Sequence, residues 1–318
     1  MTDSSGLVVL DAATVRRMLS PEVAIEAVRG AMIALSSGRV KQLLRSFIPV
    51  EAGYTFAIMP AAFDGGGVFG AKLVSVSARE RGRRSHQGVV VLFDGATGAP
   101  VCIADAEEVT SLRTAAASAV ATDALARDDA RVIAVLGLGT QAREHIRAIA
   151  AVRDIAEVRV WGRSLDRARA FAEEMTALAG IPVRAVANVD QATAGADIIC
   201  TVTSAGEPIL FANQVGPGAH LNVVGSSGPG PAEVDEQLVA KCAYFVDHAE
   251  HVRAHGAEYL RALAKGLIGP DHIRAEIGEV LSGAKPGRVL PEEITLYKSL
   301  GHAVQDLAVT AWLHENAR

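Results

Sequence analysis

The chain has 318 residues, half of them hydrophobic and 21% charged, which is enough apolar material for two domains and too little bias for a disordered or fibrous protein. Its 31 Lys and Arg against 36 Asp and Glu leave a net charge of -5, which argues against general binding to nucleic acid. Three distant cysteines, Cys102, Cys200 and Cys242, exclude a disulfide framework or a zinc ribbon. The opening MTDSSGLVVLD lacks the basic start and apolar stretch of a signal peptide. No apolar run reaches the ~18 residues of a membrane span. A cytoplasmic protein without a membrane partner is expected.

In chain order, the first 120 residues read as mixed α and β. Ser20-Pro21-Glu22 opens a helix whose apolar Val23, Ile25, Val28, Met32 and Leu35 recur at roughly helical spacing. After Gly38 the runs FIPV, YTFAIM, GAKLVSV and GVVVLFD read as strands. Gly-rich turns separate them, among them Asp64-Gly65-Gly66-Gly67 and Asp94-Gly95-Ala96-Thr97-Gly98, and predict a largely antiparallel sheet. An Ala-rich helix over about 107–127 then leads out.

From Arg131 the rhythm changes. VIAVL, EVRVW, PVRAV, DIICTV, HLNVVG and AYFVD alternate with helical or polar stretches. Strands alternating with helices predict a Rossmann-type, doubly wound parallel sheet covered on both faces. The fold class is therefore α/β, with this domain over 121–295 and a mixed α+β domain over 1–120. A last Ala/Leu-rich helix within 296–318 is expected to rejoin the first domain.

Gly137-Leu138-Gly139-Thr140-Gln141-Ala142 follows VIAVL and opens a helix containing His145, Ile146 and Ile149. In that strand-turn-helix setting G-x-G-x-x-A reads as a dinucleotide-binding turn. Gly137 allows the tight turn, Gly139 the approach of a pyrophosphate, and Ala142 close helix–strand packing. The helix start adds N–H donors, those of Thr140 and Gln141 among them. The end of the second strand separates NAD from NADP, because a carboxylate there serves the ribose 2′-OH and Arg a 2′-phosphate. Here the residues are Arg163 and Ser164, with Arg167 one turn on, so NADP(H) is preferred. The alternative is NAD(H), with Arg163 and Arg167 covering a solvated helix start.

In the first domain Arg45, Lys72 and Arg113 stand near strand or helix ends. A lysine inside the apolar GAKLV is costly to bury unless it meets an anion. Arg113 opens RTAAASA, whose small side chains need no salt-bridging Arg for packing. Three cations with few local carboxylates predict a clamp for a carboxylate. Each cation taken alone also reads as an ordinary surface residue.

These stretches occur in a familiar order: Met59-Pro60, Gly70-Ala71-Lys72-Leu73-Val74, Ser85-His86-Gln87-Gly88, Leu112-Arg113-Thr114-Ala115-Ala116 and Gly137-Leu138-Gly139. His220-Leu221-Asn222-Val223-Val224-Gly225 and Ser299-Leu300-Gly301 follow. Over nearly its whole length the chain resembles the ornithine cyclodeaminase/mu-crystallin family. The resemblance implies a substrate-binding and dimerisation domain beside a Rossmann domain, hence a homodimer. It also implies carboxylate binding by Arg45, Lys72 and Arg113, with Thr114, Thr203, Ser226 and Ser299 near the cofactor. Ornithine cyclodeaminases in that family carry a glutamate two residues before Met-Pro and an aspartate two residues after the Gly of H-x-N-x-x-G. Here those positions are Ala57 and Ser227. Neither pairs with an ammonium, and a serine unaided is a poor general base.

The resemblance therefore implies a ketimine reductase, in which a cyclic 2-imino acid takes hydride from NAD(P)H. Lys72 and Ser227 are its candidate catalytic residues. The alternatives are an ornithine cyclodeaminase, an alanine-type dehydrogenase, or an NADPH-binding protein with little turnover. His251 and His255 have i, i+4 metal spacing but sit in a charged, solvated-looking segment, and no metal is expected. His86 reads equally as a loop histidine or a substrate contact. The run Arg79-Glu80-Arg81-Gly82-Arg83-Arg84, without aromatic interleaving, reads as a loop at the substrate entrance.

Overall fold

The computed structural model describes residues 6–50, 54–65, 67–77 and 86–317. Two compact units are present: one holds the chain up to Arg113 and from His302 onward, the other Thr114–Gly301. The first division falls inside one continuous helix, so no turn or change of composition marks it in the sequence.

The first unit begins with β1 (Val8–Leu10), α1 (Ala12–Met18) and α2 (Pro21–Ser36). Six further strands follow: β2 (Val40–Gln42), β3 (Ser46–Val50), β4 (Tyr54–Phe63), β5 (Val68–Ser77), β6 (His86–Asp94) and β7 (Pro100–Asp105). They lead into α3 (Ala106–Leu125). The start of α2 is the expected one: the Ser20 hydroxyl accepts from the Val23 N–H at 3.4 Å, with Pro21 in the first turn. Its apolar stripe, including Ile25, Val28, Met32 and Leu35, is buried. The sheet runs β1-β7-β6-β5-β4-β2, with β3 also on β4, and only the β1–β7 pair is parallel. The predicted turn at Asp94 is made by its carboxylate, which accepts from the N–H groups of Ala96 and Thr97. Residues alternate across the sheet, so Ala57 and Met59 of β4 share a buried face with their register partners Val74 and Lys72 of β5.

The second unit carries β8 (Val132–Leu136), α4 (Thr140–Ala150), β9 (Glu157–Trp161), α5 (Leu165–Ala179) and β10 (Val183–Ala185). Then come α6 (Val189–Thr193), β11 (Ile198–Thr201), β12 (His220–Val223), α7 (Glu236–Lys241) and β13 (Ala243–Val246). The remainder is α8 (Ala249–His255), α9 (Ala257–Ala264), β14 (Ile273–Glu276), α10 (Ile277–Leu281) and β15 (Thr295–Lys298). The order is β10-β9-β8-β11-β12-β15-β13-β14, all parallel. This is the Rossmann-type sheet. Strand β8 reads as a continuous apolar run because both of its faces are covered. Ile133 and Val135 pack with Ile146 and Phe171, whereas Ala134 and Leu136 join the core of Leu238 and Tyr259. After β10 the chain returns to the other side of β8, which makes a topological switch point at the carboxyl end of that strand.

The chain ends in α11 (Ala303–Asn316), which lies against α2 and β4 to β7 of the first unit. The expected boundary at 295 cuts β15, and residues 296–298 are strand rather than terminal helix. Thr295–Lys298 is wholly buried between β12 and β13. Four residues that include Thr and Lys show neither alternation nor an apolar run, so β15, like β14, has no sequence signal of its own. Among the described residues no helix is long and apolar enough to cross a membrane.

Candidate active site

In the second unit, the turn after β8 has the geometry that its glycines require. Gly137 has φ +137°, and a Cβ there would lie 2.7 Å from the Val202 carbonyl oxygen. Gly139 is the N-cap of α4; it offers no side-chain cap, and the first turn holds no acid. The helix thus starts without a side-chain cap, beside exposed Thr140 and half-buried Gln141, as a dinucleotide-binding turn requires. Ala142 is fully buried, as close packing needs. His145 holds this helix start in place: its ring bonds the Gln141 carbonyl at 2.7 Å and the Ser118 hydroxyl at 2.9 Å. Burial pushes its pKa down to about 4, so it is neutral at pH 7.

At the end of β9, Arg163 and Arg167 are exposed, and neither guanidinium has an ion-pair partner among the described residues. Ser164 is the N-cap of α5, its hydroxyl accepting from the Arg167 N–H at 3.4 Å. The residues that follow the strand, Gly162, Arg163 and Ser164, include no carboxylate.

The loops after β11 and β12 are joined by Glu233. Its Oε1 accepts from the Thr203 N–H at 2.6 Å and the Thr203 hydroxyl at 2.7 Å. Its Oε2 accepts from the Thr201 hydroxyl at 2.8 Å and the Gly225 N–H at 2.6 Å. Burial pushes this carboxyl up, while its donors pull it back toward ionisation. A Cβ on Gly225 would lie 2.0 Å from the Thr203 carbonyl oxygen and 2.4 Å from the carboxylate, which keeps that position a glycine. Next to it, the Ser226 hydroxyl donates to Glu258 at 2.6 Å and accepts from the Lys298 ammonium at 2.7 Å. Glu258 and Lys298 form a fully buried ion pair at 2.9 Å; burial pushes the Glu258 carboxyl up, but the Lys298 charge and its hydrogen bonds outweigh it and leave the pKa lowered.

The donors of Thr203 and Ser226 are therefore engaged inside the protein. Ser227 is exposed, and Thr114 is buried in the middle of α3. Ser299 follows β15 with its hydroxyl buried and unpartnered among the described residues. Asp247 fixes the segment beyond it, accepting from the N–H groups of Leu300 and Gly301 at 2.6 and 2.8 Å.

In the first unit, Lys72 and Arg113 meet. Lys72 Nζ donates to the Thr110 hydroxyl at 3.1 Å and to Asp306 Oδ1 at 3.2 Å. Arg113 donates through Nε to the same oxygen at 2.9 Å, and through a terminal nitrogen to Gln305 Oε1 at 2.8 Å. Lys72, Arg113, Gln305 and Asp306 are each at most 4% exposed. Arg45, half-buried ahead of β3, is close enough for its charge to act on Lys72. Burial pulls the Lys72 pKa from 10.5 down to about 8; Asp306 opposes the fall, whereas Arg113 and Arg45 add to it.

The expectation of few local carboxylates is corrected by Asp306, and Arg113 does have an internal partner. The cluster nonetheless gathers three cations around one described anion. Asp306 and Gln305 are invisible to sequence reasoning, because 193 and 192 residues separate them from Arg113. Glu233 and Glu258 were likewise missed. Lys298 was missed with them, because TLYK shows neither alternation nor an apolar run.

His251 is buried, with its ring edge-on to His248 at 5.0 Å. The three cysteines are buried, and burial pushes the Cys102 and Cys200 thiols up to about 11 and 12. The run from Arg79 to Arg84, with Ser85, Gly66 and the side chain of His86, lies outside the described residues.

A switch-point crevice with an uncapped helix start defines a dinucleotide-binding α/β protein, whose other unit holds a buried cation cluster. The model of the ornithine cyclodeaminase/mu-crystallin family matches residues 7–318, and the chain belongs to that family. It is 33% identical to a Delta(1)-pyrroline-2-carboxylate reductase of Bacillus cereus, over 98% of this chain and 97% of that one. It is 37% identical to the ketimine reductase mu-crystallin of Mus musculus, over 88% of this chain and 86% of that one. Among solved structures, Thermococcus litoralis Delta(1)-pyrroline-2-carboxylate reductase in complex with NADH and L-proline superposes with a TM-score of 0.94. That pair shares 33% identity, covering 98% of this chain and 97% of the other.

Proposed function

We propose that this protein is an NAD(P)H-dependent reductase of cyclic ketimines such as Δ1-pyrroline-2-carboxylate or Δ1-piperideine-2-carboxylate, forming the corresponding amino acid. The observation that carries the reading is the charge balance of the first unit. Lys72 and Arg113, both buried, share the single carboxylate of Asp306, so the pair keeps one positive charge in excess, which the carboxylate of a 2-imino acid offsets. The named relatives that reduce this class of compound support the same conclusion.

Arg113 contributes a planar fork already oriented by Asp306 and Gln305, and this fixes the direction of the bound carboxylate. Lys72 contributes a proton that it holds at neutral pH and releases near pH 8. A protonated imine nitrogen draws electrons from its carbon, the atom that accepts hydride. The bound nicotinamide cofactor supplies that hydride. Holding the acid in one orientation accounts for much of the acceleration.

NADP(H) is the preferred cofactor in this reading, because Arg163 and Arg167 are exposed, with no ion-pair partner among the described residues, where a 2′-phosphate would be read. Ornithine cyclodeamination is disfavoured: Ala57, buried on the Lys72 face, brings no carboxylate of its own for a side-chain amine, and Ser227 offers no ready base. A spectrophotometric assay of NADPH and NADH oxidation tests the reading with both cyclic ketimines, and with pyruvate plus ammonia. Oxidation with a cyclic ketimine is expected. Turnover only with pyruvate and ammonia would make it an alanine-type dehydrogenase. Cofactor binding without any turnover would make it a binding protein.

The first unit also supports a homodimer. β3 and the residues before it leave Leu43 and Phe47 71% and 55% exposed, with Ile48 and Val50 about as open, an apolar ribbon awaiting cover. In sedimentation the wild type is expected to run as a dimer, and the double variant Phe47→Asp, Ile48→Asp as a monomer. A monomeric wild type would overturn this assignment.

A further inference from the structure

Asp306 Oδ1 is the only described oxygen bonded by both clamp cations, Lys72 Nζ and Arg113 Nε, at 3.2 and 2.9 Å. The carboxylate is fully buried, and its second oxygen, Oδ2, has no hydrogen-bond partner among the described residues. Two cations so close would otherwise repel each other, and neither is in water. We propose that Asp306 is a positioning residue for the reduction: its shared oxygen sets Lys72 and Arg113 side by side, and its charge keeps Lys72 protonated through the working pH range. This inference rests on the imine-reductase reading.

The charged groups around Lys72 come from three elements. Asp306 on α11 favours its ammonium form, whereas Arg113 on α3 and Arg45 ahead of β3 oppose it; Thr110 on α3 adds one neutral acceptor. Its register partners Met59 on β4 and Val90 on β6 are apolar and contribute no charge. Among these groups Asp306 is therefore the only one whose charge holds the proton on Lys72. Its removal shifts the ionisation of Lys72 toward lower pH.

Asp306→Asn isolates that charge. The amide oxygen still accepts from Lys72 and Arg113. The amide nitrogen falls where Oδ2 stood, and no donor faces that position. Packing and geometry are thus kept while the charge is lost.

The test is the pH profile of kcat/KM for Δ1-pyrroline-2-carboxylate reduction by the full-length enzyme, from about pH 6 to about pH 10. The wild type is expected to lose activity on a basic limb near pH 8, where Lys72 deprotonates. In Asp306→Asn that limb is expected to move about one unit toward acid, giving about a fivefold loss at pH 8, close to tenfold at about pH 9, and almost none at pH 6. Lys72→Arg is expected to show no limb in this range, since guanidinium keeps its proton. An unmoved limb in Asp306→Asn overturns the proposal, because a purely structural role would lower activity equally at every pH. If that variant does not fold, a basic limb retained by Lys72→Arg overturns it instead. A wild type without turnover at any pH overturns the reductase reading, and this inference with it.

Discussion

Lys72→Met is expected to lower kcat/KM for ketimine reduction by roughly three orders of magnitude, through loss of both the charge that binds the acid and the proton beside it. The size follows from desolvation: removing one partner of a buried charge pair costs roughly 3–5 kcal/mol, and each 1.4 kcal/mol is about tenfold in rate. Methionine keeps the length and apolar stem of the lysine, so the β5 surface stays filled. A stability measurement separates this loss from one of folding. Lys72 titrates near pH 8 in the folded chain and near 10.5 when unfolded. Between those values the unfolded chain binds more protons, so this residue makes wild-type stability rise with pH across that window, by about 3 kcal/mol in all. In Lys72→Met that rise disappears, as read from urea midpoints at either end of the window. A variant that folds, lacks this slope and still turns over the ketimine at the wild-type rate would remove Lys72 from the chemistry.

Arg163→Ala combined with Arg167→Ala is expected to lower the NADPH-to-NADH ratio of kcat/KM by about a hundredfold, mostly through a raised KM for NADPH. Hydrogen bonds to a charged group contribute about 1.5–3 kcal/mol, and here two exposed guanidiniums are available to one phosphate. They bind no described carboxylate, so their removal breaks no internal ion pair and leaves NADH use nearly unchanged. Ser164 is not the residue to alter for this purpose, because its hydroxyl caps α5. Equal losses with both cofactors would show that the arginines serve a part common to the two. A wild type that prefers NADH would remove the 2′-phosphate assignment altogether.

Local chemistry made much of this protein legible. VIAVL followed by Gly137-Leu138-Gly139 is a strand, turn and helix within a dozen residues, and all of its requirements are short-range. A lysine inside GAKLV announced a buried cation in need of an anion, and the structure supplies one. The anion could not be named. Asp306 sits on the last helix, and its meeting with Lys72 depends on how α11 lies across β4 to β7. The same holds for Glu233, whose partners Thr201 and Thr203 lie some thirty positions away, and for the Glu258–Lys298 pair. β15 escaped for a different reason: buried on both faces, it still carries Thr295 and Lys298, whose polar ends are satisfied by Arg288 and by Ser226 and Glu258. A pattern based on apolar residues has no means of seeing such a strand.

The carboxylate of Glu233 has a consequence for the thermodynamics of cofactor uptake. Its four bonds immobilise the loops beyond β11 and β12 within the polypeptide itself, with no help from a ligand. The entropy lost in ordering those loops is then charged to folding rather than to association. In calorimetry, dinucleotide binding should show the small heat-capacity change of a ready-made crevice, whereas a variant lacking this brace should show that of loops ordering around their guest.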